Sequence, residues 1–161
     1  MNVKEILKRL EASSEFKGWR KRNKGAYLSS AFLMLNGSSN WLLSYYDRKA
    51  NMMTSFEVGD AIAVRENEEV FKEPKAVVKK LDVAAVAVTA EKALAAAGKA
   101  FEKDQREPFK KIVVLQNLDA GQVWNITFLL KDLTTVNFKI DAKSGKLLSQ
   151  KSMTFFESKA G

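Results

Sequence analysis

The 161-residue chain contains no cysteine and no histidine. Without cysteine there is no disulfide, no thiolate nucleophile and no cysteine-held zinc or iron–sulfur centre. Without histidine the commonest general acid–base and the commonest metal ligand are missing. Serine–histidine and cysteine–histidine catalysis therefore lie outside this chain's means. No stretch approaches the roughly 20 apolar residues that cross a bilayer as a helix. The opening MNVKEILKRLEASSEFK lacks the apolar centre of a secretory signal, so the chain as it stands reads as cytoplasmic. A chain trimmed from a precursor would instead be extracytoplasmic. Gly-rich phosphate loops, Walker patterns and dinucleotide fingerprints are absent too.

What is present describes a soluble globular protein, with 46% apolar and 29% charged residues. Lysine and arginine outnumber the carboxylates by 27 to 19, a net charge of +8. Such a balance favours solubility and attraction to anionic surfaces. A solvated basic face is its plainest meaning.

The clearest pattern runs over residues 124–148. Trp124, Ile126, Phe128 and Leu130 alternate with Asn125 and Thr127, the period of a half-buried strand. Val136, Phe138 and Ile140 alternate in the same way with Asn137 and Lys139. Between that strand and the next, Asp141 initiates a turn and Gly145 supplies positive φ.

Earlier in the chain, residues 2–12 read as a helix. Asn2 and Glu5 form a capping box, and Val3, Ile6, Leu7 and Leu10 make one apolar stripe. Residues 16–25 are strongly basic and read as a loop. The apolar run 26–35, a turn at 36–40 and a partner at 41–46 read as two strands. Residues 52–58 and 60–70 add two more. The charged stretch 69–82 contains Pro74 and reads as a connector or an edge strand. Thr89 caps a second helix over 89–103, whose apolar face is Ala93, Leu94, Ala97 and Phe101. Pro108 breaks it, and strands at 110–117 and 147–156 flank the 124–148 hairpin.

This order repeats: a helix, then about four antiparallel strands, twice. Setting Trp41 against Trp124 brings Ser44 to Thr127 and Tyr45 to Phe128. A one-residue shift in the next turn brings Phe56 to Phe138 and Val58 to Ile140. Leu10 and Leu94 stand 31 and 30 positions before those tryptophans, the same placement of helix before strand within one residue.

The second half also resembles a PepSY domain, through Thr89-Ala90-Glu91-Lys92-Ala93-Leu94 and Ile140-Asp141-Ala142-Lys143-Ser144-Gly145-Lys146-Leu147. The resemblance covers roughly residues 86–156 and reaches the first half only through the repeat. It implies a cystatin-like α+β fold, a helix across a curved antiparallel sheet. It also implies a link to peptidase control and extracytoplasmic sensing. The expected architecture is α+β, two tandem cystatin-like/PepSY-like halves at 1–72 and 89–161, joined by a linker at 73–88.

For function, the expectation is a non-enzymatic module that binds a protein or peptide through a sheet face or edge. The alternative is nucleic-acid binding through the basic loop at 17–24. There Lys17, Arg20, Lys21, Arg22 and Lys24 would meet phosphates and Trp19 would stack on a base. A solvated loop with Trp19 tucked against the sheet is the reading preferred, since no known nucleic-acid signature accompanies the cluster. Trp41 and Trp124 read as packing residues, Met34, Met52 and Met53 as core filler, and Asp141 as a turn former. Glu66, Glu68, Glu69 and Glu73 lack calcium-loop spacing and read as a solvated acidic edge. No catalytic residue, metal site or cofactor is expected. The sequence specifies neither monomer nor dimer.

Overall fold

The computed structural model describes residues 2–36, 40–70 and 76–154. The centre of the expected 36–40 turn, Glu73, Pro74 and the end of the expected 147–156 strand lie outside the described residues. The described residues form three α-helices and eight strands: α1 (Val3–Ala12), α2 (Ser14–Arg22), β1 (Tyr27–Leu35), β2 (Trp41–Asp47), β3 (Met52–Val58), β4 (Ile62–Glu69), α3 (Ala90–Phe101), β5 (Pro108–Leu118), β6 (Gly121–Leu130), β7 (Thr135–Asp141) and β8 (Leu147–Met153).

Local chemistry sets the helix starts. Asn2 Oδ1 accepts from the Glu5 N–H, and Glu5 Oε2 accepts from the Asn2 N–H, a complete capping box. Thr89 Oγ1 accepts from the Lys92 N–H at the head of α3. The expected loop at 16–25 is a correction: most of it is α2. Ser13 ends α1 and caps α2, accepting from the Phe16 N–H, and Phe16 and Trp19 then share one buried face. Packing of two aromatic rings outweighs the weak local pattern of a nine-residue basic helix.

All eight strands form one antiparallel sheet, in the order β4-β3-β2-β1-β5-β6-β7-β8. Each set of four is a meander of neighbouring strands, and β1 meets β5 at the centre. There Ala31 pairs with Leu115 and Leu33 with Val113. On one side Trp41 pairs with Val58 and Leu43 with Phe56. On the other Trp124 pairs with Ile140 and Ile126 with Phe138.

One continuous core lies on one face of this sheet. α1 rests against β2 and β3, and α3 against β6 and β7. Phe16 and Trp19 from α2 close on Tyr45 and Phe56, while Phe101 from α3 closes on Phe128 and Phe138. Residues 78–82 cross the end of the sheet on backbone and side-chain hydrogen bonds. Tyr27 donates its hydroxyl to Val78 O, Leu81 N–H bonds Leu28 O at 2.8 Å, and Asn117 Nδ2 bonds Lys80 O at 3.0 Å. Gln122 both accepts from Asp82 N and donates to Asp82 O. The opposite face of the sheet carries no helix among the described residues.

Candidate interaction face

Strand geometry decides what the helix-free face displays, because alternate residues point to opposite sides. With Ala31, Leu33, Leu43, Val113 and Leu115 in the core, Phe32, Met34, Leu42, Ile112 and Val114 face the other way. The registers place Leu42 beside Phe32 and Phe32 beside Val114, on β2, β1 and β5. Met34 sits beside Ile112 in the neighbouring row. These five side chains form a contiguous, half-buried apolar patch at the middle of the sheet.

Its rim is polar on every described side. Continuing the Leu42 row outward reaches Glu57 on β3, with Arg65 nearby on β4. The other direction passes from Val114 to Asn125 and Lys139. Asn137 donates through Nδ2 to Asn125 Oδ1 and to Thr127 Oγ1 at 3.0 Å, which fixes that margin. A row of serines bounds the patch below, where the Ser44 and Ser55 hydroxyls meet at 2.8 Å and Ser30 pairs with Ser44. The hollow between Phe32, Met34, Asn40, Leu42, Glu57 and Arg65 has a volume of about 180 Å³. That is smaller than the roughly 300–1,000 Å³ of a small-molecule site. An apolar centre with a polar rim has the make-up of a protein contact surface.

The basic cluster at 17–24 is split by the fold. Trp19 is 2% exposed, its ring enclosed by Phe16, Tyr45 and Phe56, so it offers no face for a base. Arg20 turns inward, donating to Ala26 O at 2.6 Å and Asn23 O at 3.1 Å while its guanidinium lies against the same aromatic group. Arg22 faces Glu66 at 3.5 Å. Lys17, Lys21, Arg22 and Lys24 are exposed. Burial, with a small contribution from Glu11, pushes the Tyr45 hydroxyl well above its ordinary ionisation range.

Trp41 and Trp124 are both in the core. The three methionines are a correction, since none of Met34, Met52 and Met53 belongs to it. Asp141 is the turn former: its carboxylate accepts from the Ser144 hydroxyl and N–H, which together hold it below the usual carboxylate range. Glu66, Glu68 and Glu69 stand exposed on β4. Among the described residues no three carboxylates converge on a point that could hold a metal ion. The tightest ionic group among the described residues is a clip. Arg106 holds Asp104 at 2.6 Å and Asp132 at 3.0 Å, tying the α3–β5 connection to the β6–β7 turn.

Residues 87–151 match the family model of PepSY, described as peptidase propeptide and YPEB domain. That stretch of the chain is similar to a PepSY domain. The match takes in α3 and nearly all of β5 to β8, so one PepSY-like unit supplies Ile112, Val114 and the Asn125–Asn137 margin of the face. No curated protein matches the chain. Among solved structures, a candidate lipoprotein from Clostridium difficile 630 superposes with a TM-score of 0.52 at 12% identity. The superposition covers 86% of this chain and 90% of that one, so the shared fold extends beyond the PepSY-like segment. No helix among the described residues is long and apolar enough to cross a membrane.

The sequence reading missed Phe32, Leu42, Ile112 and Val114. Their signal is visible in hindsight. The runs at 26–35 and 112–115 are apolar at both parities, as a strand is when both of its faces are to be covered.

Proposed function

We propose that the chain is a non-enzymatic binding or regulatory module whose helix-free sheet face docks onto a protein partner. The apolar patch formed by Leu42, Phe32, Val114, Met34 and Ile112 carries this reading. Its hollow is small for a small-molecule site, and its side chains are too contiguous to be scattered surface residues. We also read the fold as two tandem cystatin-like halves, 1–72 and 89–161, with 73–88 between them. Two relations support that reading. The pairs Trp41–Val58 and Leu43–Phe56 recur as Trp124–Ile140 and Ile126–Phe138. Exchanging β1 with β5 turns the pair Ala31–Leu115 into Val113–Leu33, itself a pair in the structure. The patch straddles that same β1–β5 junction, so docking would use both halves at once.

The candidate-lipoprotein description of the fold neighbour supports an extracytoplasmic setting for such a module. A nucleic-acid partner would have Lys17, Lys21, Arg22 and Lys24 for phosphates but no exposed ring beside them, so the helix-free face is the better supported surface. The test is affinity capture, from the source cells, on wild type and on Phe32→Asp/Leu42→Asp, with bound proteins identified by mass spectrometry. Circular dichroism checks the fold of the variant, and Val114→Asn serves as a milder second variant. A protein held by wild type and released by both variants supports the reading. Equal capture by wild type and folded variants would overturn it.

A further inference from the structure

The two outer edges of the sheet are built differently. β4 is defended. Glu66, Glu68 and Glu69 are exposed along it, a bulge interrupts its pairing with β3, and Asn67 sits at φ 54°. β8 carries fewer charges, with Lys151 the one charged side chain on the strand itself. After one extra residue at Leu148, it pairs regularly with β7 from Ser149 to Met153. No strand among the described residues pairs with its outer side. It also exposes large apolar side chains, with Leu147 at 43%, Leu148 at 46% and Met153 at 50%. An edge of this kind is a template for one more strand.

Charge selects the occupant. Lys143, Lys146 and Lys151 are exposed along or beside β8, and Lys139 stands on the neighbouring strand. Among the described residues none of the four forms an ion pair. The nearby Asp141 carboxylate is engaged by Ser144. A second copy of this edge would set lysines against lysines, whereas an acidic strand would neutralise them.

Building on the reading of the chain as a protein-binding module, we propose that β8 takes an extended acidic segment of the partner as a ninth strand. Main-chain hydrogen bonds to β8 supply affinity that depends little on sequence. Acidic side chains on the segment meet Lys151 on the face that it shares with Lys139, its apolar residues meet Leu147 on the other face, and Lys143 and Lys146 add positive charge at the turn.

The probe is a synthetic octapeptide alternating glutamate with valine, titrated into the full chain while backbone amide signals are followed by NMR. The expected result is shifts and slowed amide exchange confined to β8 and its flanks, with affinity falling as salt rises. A peptide N-methylated at alternate residues should bind at least about tenfold more weakly, as should the lysine–valine counterpart. Lys143→Glu/Lys146→Glu/Lys151→Glu should reverse the preference between the acidic and basic peptides. Phe32→Asp/Leu42→Asp should leave peptide binding unchanged, which separates this edge from the face. The proposal is overturned if N-methylation costs nothing, if the shifts centre on Phe32 and Val114, or if β8 amides are protected by self-association instead. Loss of the edge result with partner capture still dependent on Phe32 and Leu42 would remove this inference and leave the face reading standing.

Discussion

Trp41 on β2 and Trp124 on β6 meet across the middle of the core, their ring centroids 6.3 Å apart and their planes inclined by 59°. Two strands, β1 and β5, separate them in the sheet, so the rings bridge above the central pair. Trp124 also donates its indole N–H to Val88 O at 2.8 Å, tying the entry to α3 to the same point. The contact joins residues that sit at matching places in the two four-strand meanders.

Trp41→Ala should therefore cost about 3–5 kcal/mol, the usual loss for a buried tryptophan. A double-mutant cycle with Trp124→Phe should show coupling of about 0.5–1.5 kcal/mol. Urea unfolding of the variant, followed by fluorescence and circular dichroism, should remain one transition. Two separate transitions would mean that the meanders hold independent cores.

The cationic surface of α2 makes a second contrast. Trp19→Ala should destabilise by about 3–5 kcal/mol because it opens the ring cluster around Tyr45 and Phe56. Lys17→Ala and Lys21→Ala should stay within about 0.5 kcal/mol of wild type, as solvated substitutions do. Thermal melts of the three variants distinguish a helix held by its apolar side from a loop held by nothing.

Gly145 closes the β7–β8 turn at φ 79°. An added Cβ would lie 3.5 Å from a Val88 methyl, an ordinary contact, so the cost of substitution is conformational. Gly145→Ala should lose about 1–2 kcal/mol in chemical denaturation, and Gly145→Asn less, because asparagine tolerates the left-handed region. Equal losses would point to crowding against Val88 instead.

The Arg106 clip gives a pH signature. The side-chain hydrogen bond from Arg106 is the largest cause holding the Asp104 carboxyl at about 2, below its ordinary 3.8. A group whose pKa is lowered by folding stabilises the fold above its unfolded value, and that contribution vanishes as pH falls through about 2. Carboxyl ¹³C titration of Arg106→Ala should show Asp104 moving back up toward 3.8. A midpoint that stays near 2 would contradict the clip.

Much of this architecture was legible because its signals are local. The Asn2–Glu5 box, the Thr89 cap and the alternation from Trp124 to Leu130 each need only a few neighbouring residues to be read. Helix α2 was hidden because its one buried face rests on two residues, Phe16 and Trp19, amid six exposed or half-exposed polar ones. The pairing of β1 with β5 was hidden for another reason. It joins residues about eighty positions apart, and no turn between them fixes the register. The helix-free face followed from that pairing, since Phe32 and Val114 become neighbours only once β1 meets β5. Burial then withdrew Trp19 from solvent, a fact that charge counting cannot reveal.

The most direct test of the account is a photo-cross-linking amino acid placed at Val114 in the full chain, activated in the source cells, with Lys92 on α3 as the control position. The account predicts a discrete protein adduct from position 114 that position 92 does not form, and its disappearance in the Phe32→Asp/Leu42→Asp background. Adducts to nucleic acid, or the same adducts from both positions, would contradict a protein-docking role for the helix-free face.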